Sequence, residues 1–246
     1  MLKACLNGNR DRADHPAVPL SAAELGRDAA AAVAAGAAAV HVHPRGANLA
    51  ESLDPADCAA VVDALRRAVP GTPVGLTTGA WIEPDIDRRL DLVRNWTHLP
   101  DFVSVNFSEE GAVRVCELAI SLGMGVEAGI SSLADARRLA ASGLADRCLR
   151  LLVEVEDNGP GAAVESASRI DAALAAADPP RSILHHGMGV ATWAVLAAAA
   201  DLGRDGRIGL EDTLVMADGS PARDNAHLVT AAMALMRRGA AAGSPG

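Results

Sequence analysis

Eight short apolar runs, each followed by a longer stretch with helical spacing, alternate along the 246 residues, and this alternation constrains the fold more than any other feature. The runs are Leu2–Gly8, Ala38–His43, Pro73–Thr78, Phe102–Phe107, Gly125–Ile130, Leu149–Val155, Ile183–His186 and Arg207–Leu210. Between them lie helical stretches from Ser21 to Gly36, then Pro55–Val69, Pro84–Val93, Glu109–Ser121, Leu133–Ala141, Ala163–Ala176, Ala191–Leu202 and Asn225–Arg237. Ser21 and Glu24 form a capping-box pattern, Asp54 precedes Pro55 as an N-cap, and Gly36 is a natural stop. Strand–helix units of about thirty residues, eight in a row, predict an α/β fold of the (β/α)8 TIM-barrel type. A doubly wound sheet is the rival and seldom uses eight regular units in so short a chain. No linker or charge block interrupts the pattern. A single barrel over 1–238 is expected, with the small, polar 239–246 as a flexible tail.

Composition narrows the chemistry. With 22 Lys+Arg against 31 Asp+Glu the net charge is −9, which disfavours a protein that tracks nucleic-acid phosphates. Gly, Asp and Arg cut the Ala-rich stretches short of the roughly 18–20 apolar residues a membrane span needs. The opening Met1–Cys5 leads into a strand-like run without the layout of a secretory leader, so a cytoplasmic setting is expected. Lys3 is the only lysine and sits at the start of a strand, which excludes Schiff-base, pyridoxal and P-loop chemistry. Cys5, Cys58, Cys116 and Cys148 form no CxxC pair and read as buried thiols.

In a parallel barrel the catalytic groups sit at the C-terminal ends of the strands. Polar residues there are Asn7 and Asn9, His41 and His43, Thr77 and Thr78, Ser104 and Asn106, Glu127, Glu154 and Glu156, His185 and His186, and Glu211 and Asp212. His41 and His43 are two apart on a strand, so both imidazoles face one side and can meet on one ion. The bland reading is a pair of hydrogen-bonded core histidines. A third ligand must come from elsewhere, and Glu211 ends the eighth strand, which neighbours the first in a closed barrel. Such a nitrogen and carboxylate set suits zinc, iron or manganese and leaves a coordination position open. Arg207 precedes Glu211 by four residues and can orient Glu211 or Asp212, although a purely structural ion pair is the alternative. Asn7, Asn9, Thr77, Ser104 and Asn106 are neutral hydrogen-bonders suited to a small acid's pocket, and only one of His185 and His186 can face inward. Glu127 is expected behind a metal histidine, and Trp81, Trp96 and Trp193 are expected to pack.

These residues resemble the β-keto acid cleavage enzymes, a family of zinc-dependent barrels that act with acetyl-CoA. The resemblance runs along the chain and is carried by four segments. Leu6 to Pro16 is similar to the family's first loop. His41-Val42-His43-Pro44-Arg45 resembles its HxHxR segment, and Thr77-Thr78-Gly79 its Ser-Thr-Gly turn. Arg207-Ile208-Gly209-Leu210-Glu211-Asp212 resembles its R-x-G-L-E-D signature. The resemblance implies that His41, His43 and Glu211 bind zinc. It also implies that Asp212, oriented by Arg207, is the acid–base group, and that Thr77 and Ser104 hold the substrate carboxylate. The implied reaction is an acyl exchange in which a β-keto acid and acetyl-CoA give acetoacetate and a new acyl-CoA. Where family members that take an amino-substituted keto acid carry a glutamate in the first loop, this chain has Asn9, which points to a neutral or hydroxylated substrate. Self-association through the Ala-rich outer helices is expected.

Two other readings compete. An amidohydrolase-like metal-dependent hydrolase also uses HxH, but on its first strand, with histidines on strands five and six where Glu127 and Glu154 stand here. A non-catalytic metal-binding barrel is the other.

Overall fold

The computed structural model describes residues 1–156, 159–175 and 182–242. Among them eight parallel strands close into a barrel in chain order, each followed by a helix on the outside. The first half comprises β1 (Leu2–Cys5), α1 (Ala22–Ala34), β2 (Ala39–Val42), α2 (Pro55–Ala68), β3 (Val74–Thr77), α3 (Ile86–Arg94), β4 (Phe102–Asn106) and α4 (Ala112–Ser121). The second comprises β5 (Gly125–Ile130), α5 (Leu133–Ser142), β6 (Arg150–Val155), α6 (Pro160–Ala175), β7 (Ile183–Gly187), α7 (Thr192–Asp201), β8 (Asp205–Ile208) and α8 (Asn225–Ala242). β1 pairs with both β2 and β8, so the residues after β8 stand beside those after β1 and β2.

The helix starts follow the cap chemistry. Ser21 accepts from the Glu24 N–H while Glu24 reaches back to the Ser21 N–H, and Asp54 accepts from Ala56 N at 2.8 Å. Outward strand residues such as Val40 and Val42 and helix residues such as Leu25, Ala29, Cys58 and Leu65 are fully buried and form the shell between sheet and helices. Each fully buried Val or Leu of this shell stabilises the fold by about 1.5–3 kcal/mol.

Several boundaries differ from expectation, and the structure gives the physical reason for some of them. The eighth strand is two residues earlier than its apolar run suggests, because the chain turns at Gly209. A Cβ there would lie 1.8 Å from the Cys5 carbonyl oxygen, so the backbone crosses β1 where a side chain has no room. The first strand ends at Cys5, and Gly8 turns with φ +53°. The fourth helix starts at Ala112 rather than Glu109, because Glu109 is drawn back to accept from Asn106 Nδ2 and Ala80 N, both at 2.9 Å. The eighth helix runs on to Ala242; the end of the expected tail, 243–246, lies outside the described residues.

The inside of the barrel has two levels. The lower one is a charged plug in which Lys3 pairs with Glu127, and Arg150 Nε stands 3.4 Å from the second oxygen of that carboxylate. Both cations lie against the Phe102 ring, at 5.7 and 5.8 Å from its centroid. Gly75 leaves room for that ring, since a Cβ there would sit 2.0 Å from it. Glu127 therefore does not stand behind a metal histidine: it is committed to the plug, and Lys3 is its counter-ion. The upper level carries the candidate site.

Candidate metal centre and the cavity above it

β2 delivers His41 and, one residue past its end, His43, with Val42 pointing outward and fully buried between them. The strand's continuation is held by Asn7, whose side chain donates to the His43 carbonyl at 2.8 Å and accepts from the His43 N–H at 2.9 Å. Asn7 is thus a backbone clamp rather than a pocket donor. The two imidazoles stand edge to face with centroids 5.1 Å apart.

Glu211 arrives from the turn after β8. Arg207 Nη2 donates to its Oε1 at 2.6 Å, which turns Oε2 toward the histidines, 3.7 Å from His43 Nε2 and 4.0 Å from His41 Nε2. His41, His43 and Glu211 are all buried, and one ligand atom from each lies within 4.8 Å of the others. Glu211 Oε2 has no hydrogen-bond partner, a costly state for a buried anionic oxygen. Burial works to raise the Glu211 carboxyl, but the Arg207 guanidinium and then the two histidines hold it well below the usual carboxylate range. Burial pushes His41 well below its ordinary value, keeping the ring in the neutral form that a metal requires. An ionised carboxylate with an orphaned oxygen, facing a neutral imidazole, fits a divalent cation of the zinc, iron or manganese kind.

Arg207 also binds the next acid. Its Nε donates to Asp212 Oδ1 at 3.0 Å, and Nη2 reaches the same oxygen. Asp212 is fully buried, its Oδ2 is unpartnered, and burial raises its carboxyl despite Arg207. On its other side His186 Nδ1 stands 3.6 Å from Oδ1, and His186 Nε2 stands 3.0 Å from Glu154 Oε1. Of the adjacent histidines only His186 faces inward, as strand geometry requires. His185 points out to Asp171, at 2.7 Å, which Arg204 also holds.

A cavity of about 230 Å³ opens above these groups, lined by Asn9, His43, Asn106, Glu154, Arg207 and Glu211 among others. It shares Asn106, Glu154 and Glu156 with a second cavity of about 400 Å³ that carries Ser108, Ser131 and Ser166. Asn9 is exposed at the rim, and Asn106 lines both spaces. Thr77 and Ser104 sit lower: Thr77 Oγ1 accepts from Gly79 N at 3.2 Å, and the Ser104 carbonyl accepts from Thr78 Oγ1 at 2.6 Å.

Two of the tryptophans pack as expected, Trp96 donating to the Leu53 carbonyl and Trp193 to that of Val215, each at 2.9 Å. Trp81 does not. It is 51% exposed, lines the cavity and stacks on His43. Glu51, to which no motif in the sequence points, approaches His43 Nδ1 to 2.5 Å. The available signal for Glu51 is an acid eight residues past His43, in the loop before the Asp54 N-cap.

The sequence matches a family model described as beta-keto acid cleavage enzyme over residues 1–113 and 126–241. No curated protein matches it. Among solved structures it is similar to the ternary complex of ObcA with C4-CoA adduct and oxalate, at 17% identity and a TM-score of 0.74, covering 91% of this chain and 65% of that one. The binary complex of ObcA with oxaloacetate gives the same identity and TM-score, with 64% of that chain covered. The chain therefore spans slightly less than two thirds of the ObcA chains it matches. The tryptophan synthase alpha chain from Legionella pneumophila subsp. pneumophila, at 13% identity and a TM-score of 0.59, covers 97% of this chain and 92% of its own. At these identities the likeness is one of fold.

Proposed function

This chain belongs to the β-keto acid cleavage enzyme family, and from that premise we propose that it is a zinc-dependent acyltransferase that exchanges acyl groups between a β-keto acid and acetyl-CoA. In that exchange the bond between the keto carbon and the carboxymethyl carbon breaks, and the carboxymethyl carbon joins the acetyl carbon to give acetoacetate. The CoA sulfur leaves the acetyl group and takes the remaining acyl group as a new thioester. The ObcA complexes with oxaloacetate and with a C4-CoA adduct support a keto acid and a CoA thioester as the partners.

The observation that carries the reading is the convergence of His41, His43 and Glu211, with Glu211 Oε2 left without a partner. A divalent cation held there supplies a Lewis acid for a ketone oxygen, the electron sink that a lysine provides in aldolases that form imines. The protein's own groups do the rest. Arg207 fixes the orientation of Glu211 and neutralises part of the charge of two adjacent carboxylates. Asp212, fully buried and with Oδ2 unpartnered, takes a proton from the substrate's acidic carbon and returns it. Asn9 and Asn106 line the cavity and are assigned to the substrate; family membership is what assigns Thr77 and Ser104, beneath it, to the substrate's carboxylate. Burial of the site strengthens each of these interactions relative to water.

No observation favours the hydrolase reading, since Glu127 serves the plug and Glu154 pairs with His186 where that class needs histidines. Among the described residues no helix is long and apolar enough to cross a membrane. The deciding experiment is a screen of β-keto acids with acetyl-CoA, following acetoacetate release with and without a chelator. Release that is absent for every keto acid, or indifferent to complete metal removal, rejects the assignment.

A further inference from the structure

We propose that Glu51 and Trp81 form a brace that presets His43 for metal binding and couples the loop after β3 to the occupancy of the site. The proposal rests on the metal-centre reading above. Glu51 lies in the loop between β2 and α2, where its backbone bridges to Arg45. Its Oε1 stands 2.5 Å from His43 Nδ1. A carboxylate oxygen only accepts, so Nδ1 carries the proton and Nε2 presents its lone pair toward Glu211 Oε2. The other oxygen accepts from the Trp81 indole N–H at 2.9 Å.

Trp81 then covers the pair. Its ring stacks on the His43 imidazole at 25° and a centroid distance of 6.1 Å. It folds back across Gly79, where a Cβ would lie 2.4 Å from the indole. With half its surface in solvent, Trp81 gains little from core burial. What holds it are the Glu51 hydrogen bond, the His43 ring and the space at Gly79. A carboxylate behind a ligating imidazole fixes the tautomer and raises ligand basicity; its loss typically costs about 10–100-fold in metal affinity.

The test compares wild type, Glu51→Gln, Trp81→Phe and His43→Ala for zinc affinity by competition with a chromogenic chelator, with circular dichroism as a check of folding. The expected result is a zinc affinity about 10–100-fold weaker for Glu51→Gln and a smaller loss for Trp81→Phe. Tryptophan emission of the wild type should change on zinc addition, and that change should vanish in Trp81→Phe. Affinity of Glu51→Gln indistinguishable from wild type, alongside a collapse in His43→Ala, overturns the brace and leaves the metal centre standing. Full zinc affinity in His43→Ala overturns both. A zinc-induced emission change that persists in Trp81→Phe removes the coupling to the loop.

Discussion

Arg207 holds Asp212 from two of its nitrogens, Nε at 3.0 Å and Nη2, while Nη2 also secures Glu211. One guanidinium thus orients both the carboxylate assigned to the metal and the one assigned to proton transfer. Burial opposes its charge, but Asp212 and Glu211 outweigh that penalty and keep it fully protonated. Arg207→Lys is expected to keep the charge and lose the fork. It should lower kcat by about 100-fold or more, on the scale of a lost preorganised donor, with the far-UV spectrum intact. Steady-state kinetics on the keto acid found in the screen check this, and a kcat near wild type counts against the orienting role.

The plug beneath the site gives a separable prediction. Glu127→Ala leaves a fully buried Lys3 and a largely buried Arg150 without their carboxylate. Breaking such a pair costs about 3–5 kcal/mol. Denaturant unfolding should show that loss, while kcat per folded molecule falls far less than in Arg207→Lys, because the ion pairs of Glu127 go to Lys3 and Arg150 rather than to His41, His43 or Glu211.

Asp28 on α1 predicts a pH dependence of stability. Burial raises its carboxyl to about 6, against the Asn225 hydrogen bond that lowers it. In the unfolded chain it titrates near 3.9. Between these values the native state binds more protons than the unfolded one, so stability is highest below about pH 4 for this group and falls as pH rises through 6. The expected loss is about 1–3 kcal/mol. Urea midpoints from pH 4.5 to 8 should decline less in Asp28→Asn, which retains an oxygen for the Asn225 amide. An identical slope in the variant assigns the effect elsewhere.

Asn9 stands uncharged at the cavity rim. Matched neutral and amino-substituted keto acids should therefore differ in kcat/KM in favour of the neutral one. Asn9→Glu should narrow or reverse that preference, and an unmodified enzyme that prefers the cation contradicts the assignment.

What could be read from the chain followed from periodicity and spacing. Residues 41 and 43 share a face because a strand repeats every two residues, and the barrel order sets the β8 turn beside β1 and β2. The caps at Ser21 and Asp54 are local and were equally legible. Glu127 misled because it obeys the same alternation as Glu154. Both face inward on neighbouring strands, and only their height in the barrel separates the plug from the site.

The eight-unit barrel, the histidine pair and the Arg207–Glu211–Asp212 cluster were legible along the chain, since each depends on residues close in sequence or on a regular repeat. Only the folded barrel shows that Asn7 clamps the His43 backbone, that Lys3 answers Glu127 and that Trp81 and Glu51 close over His43. The reason is physical: these contacts join loops and strand levels whose relative positions are set by the packing of the whole barrel, and no local periodicity encodes where two loops meet.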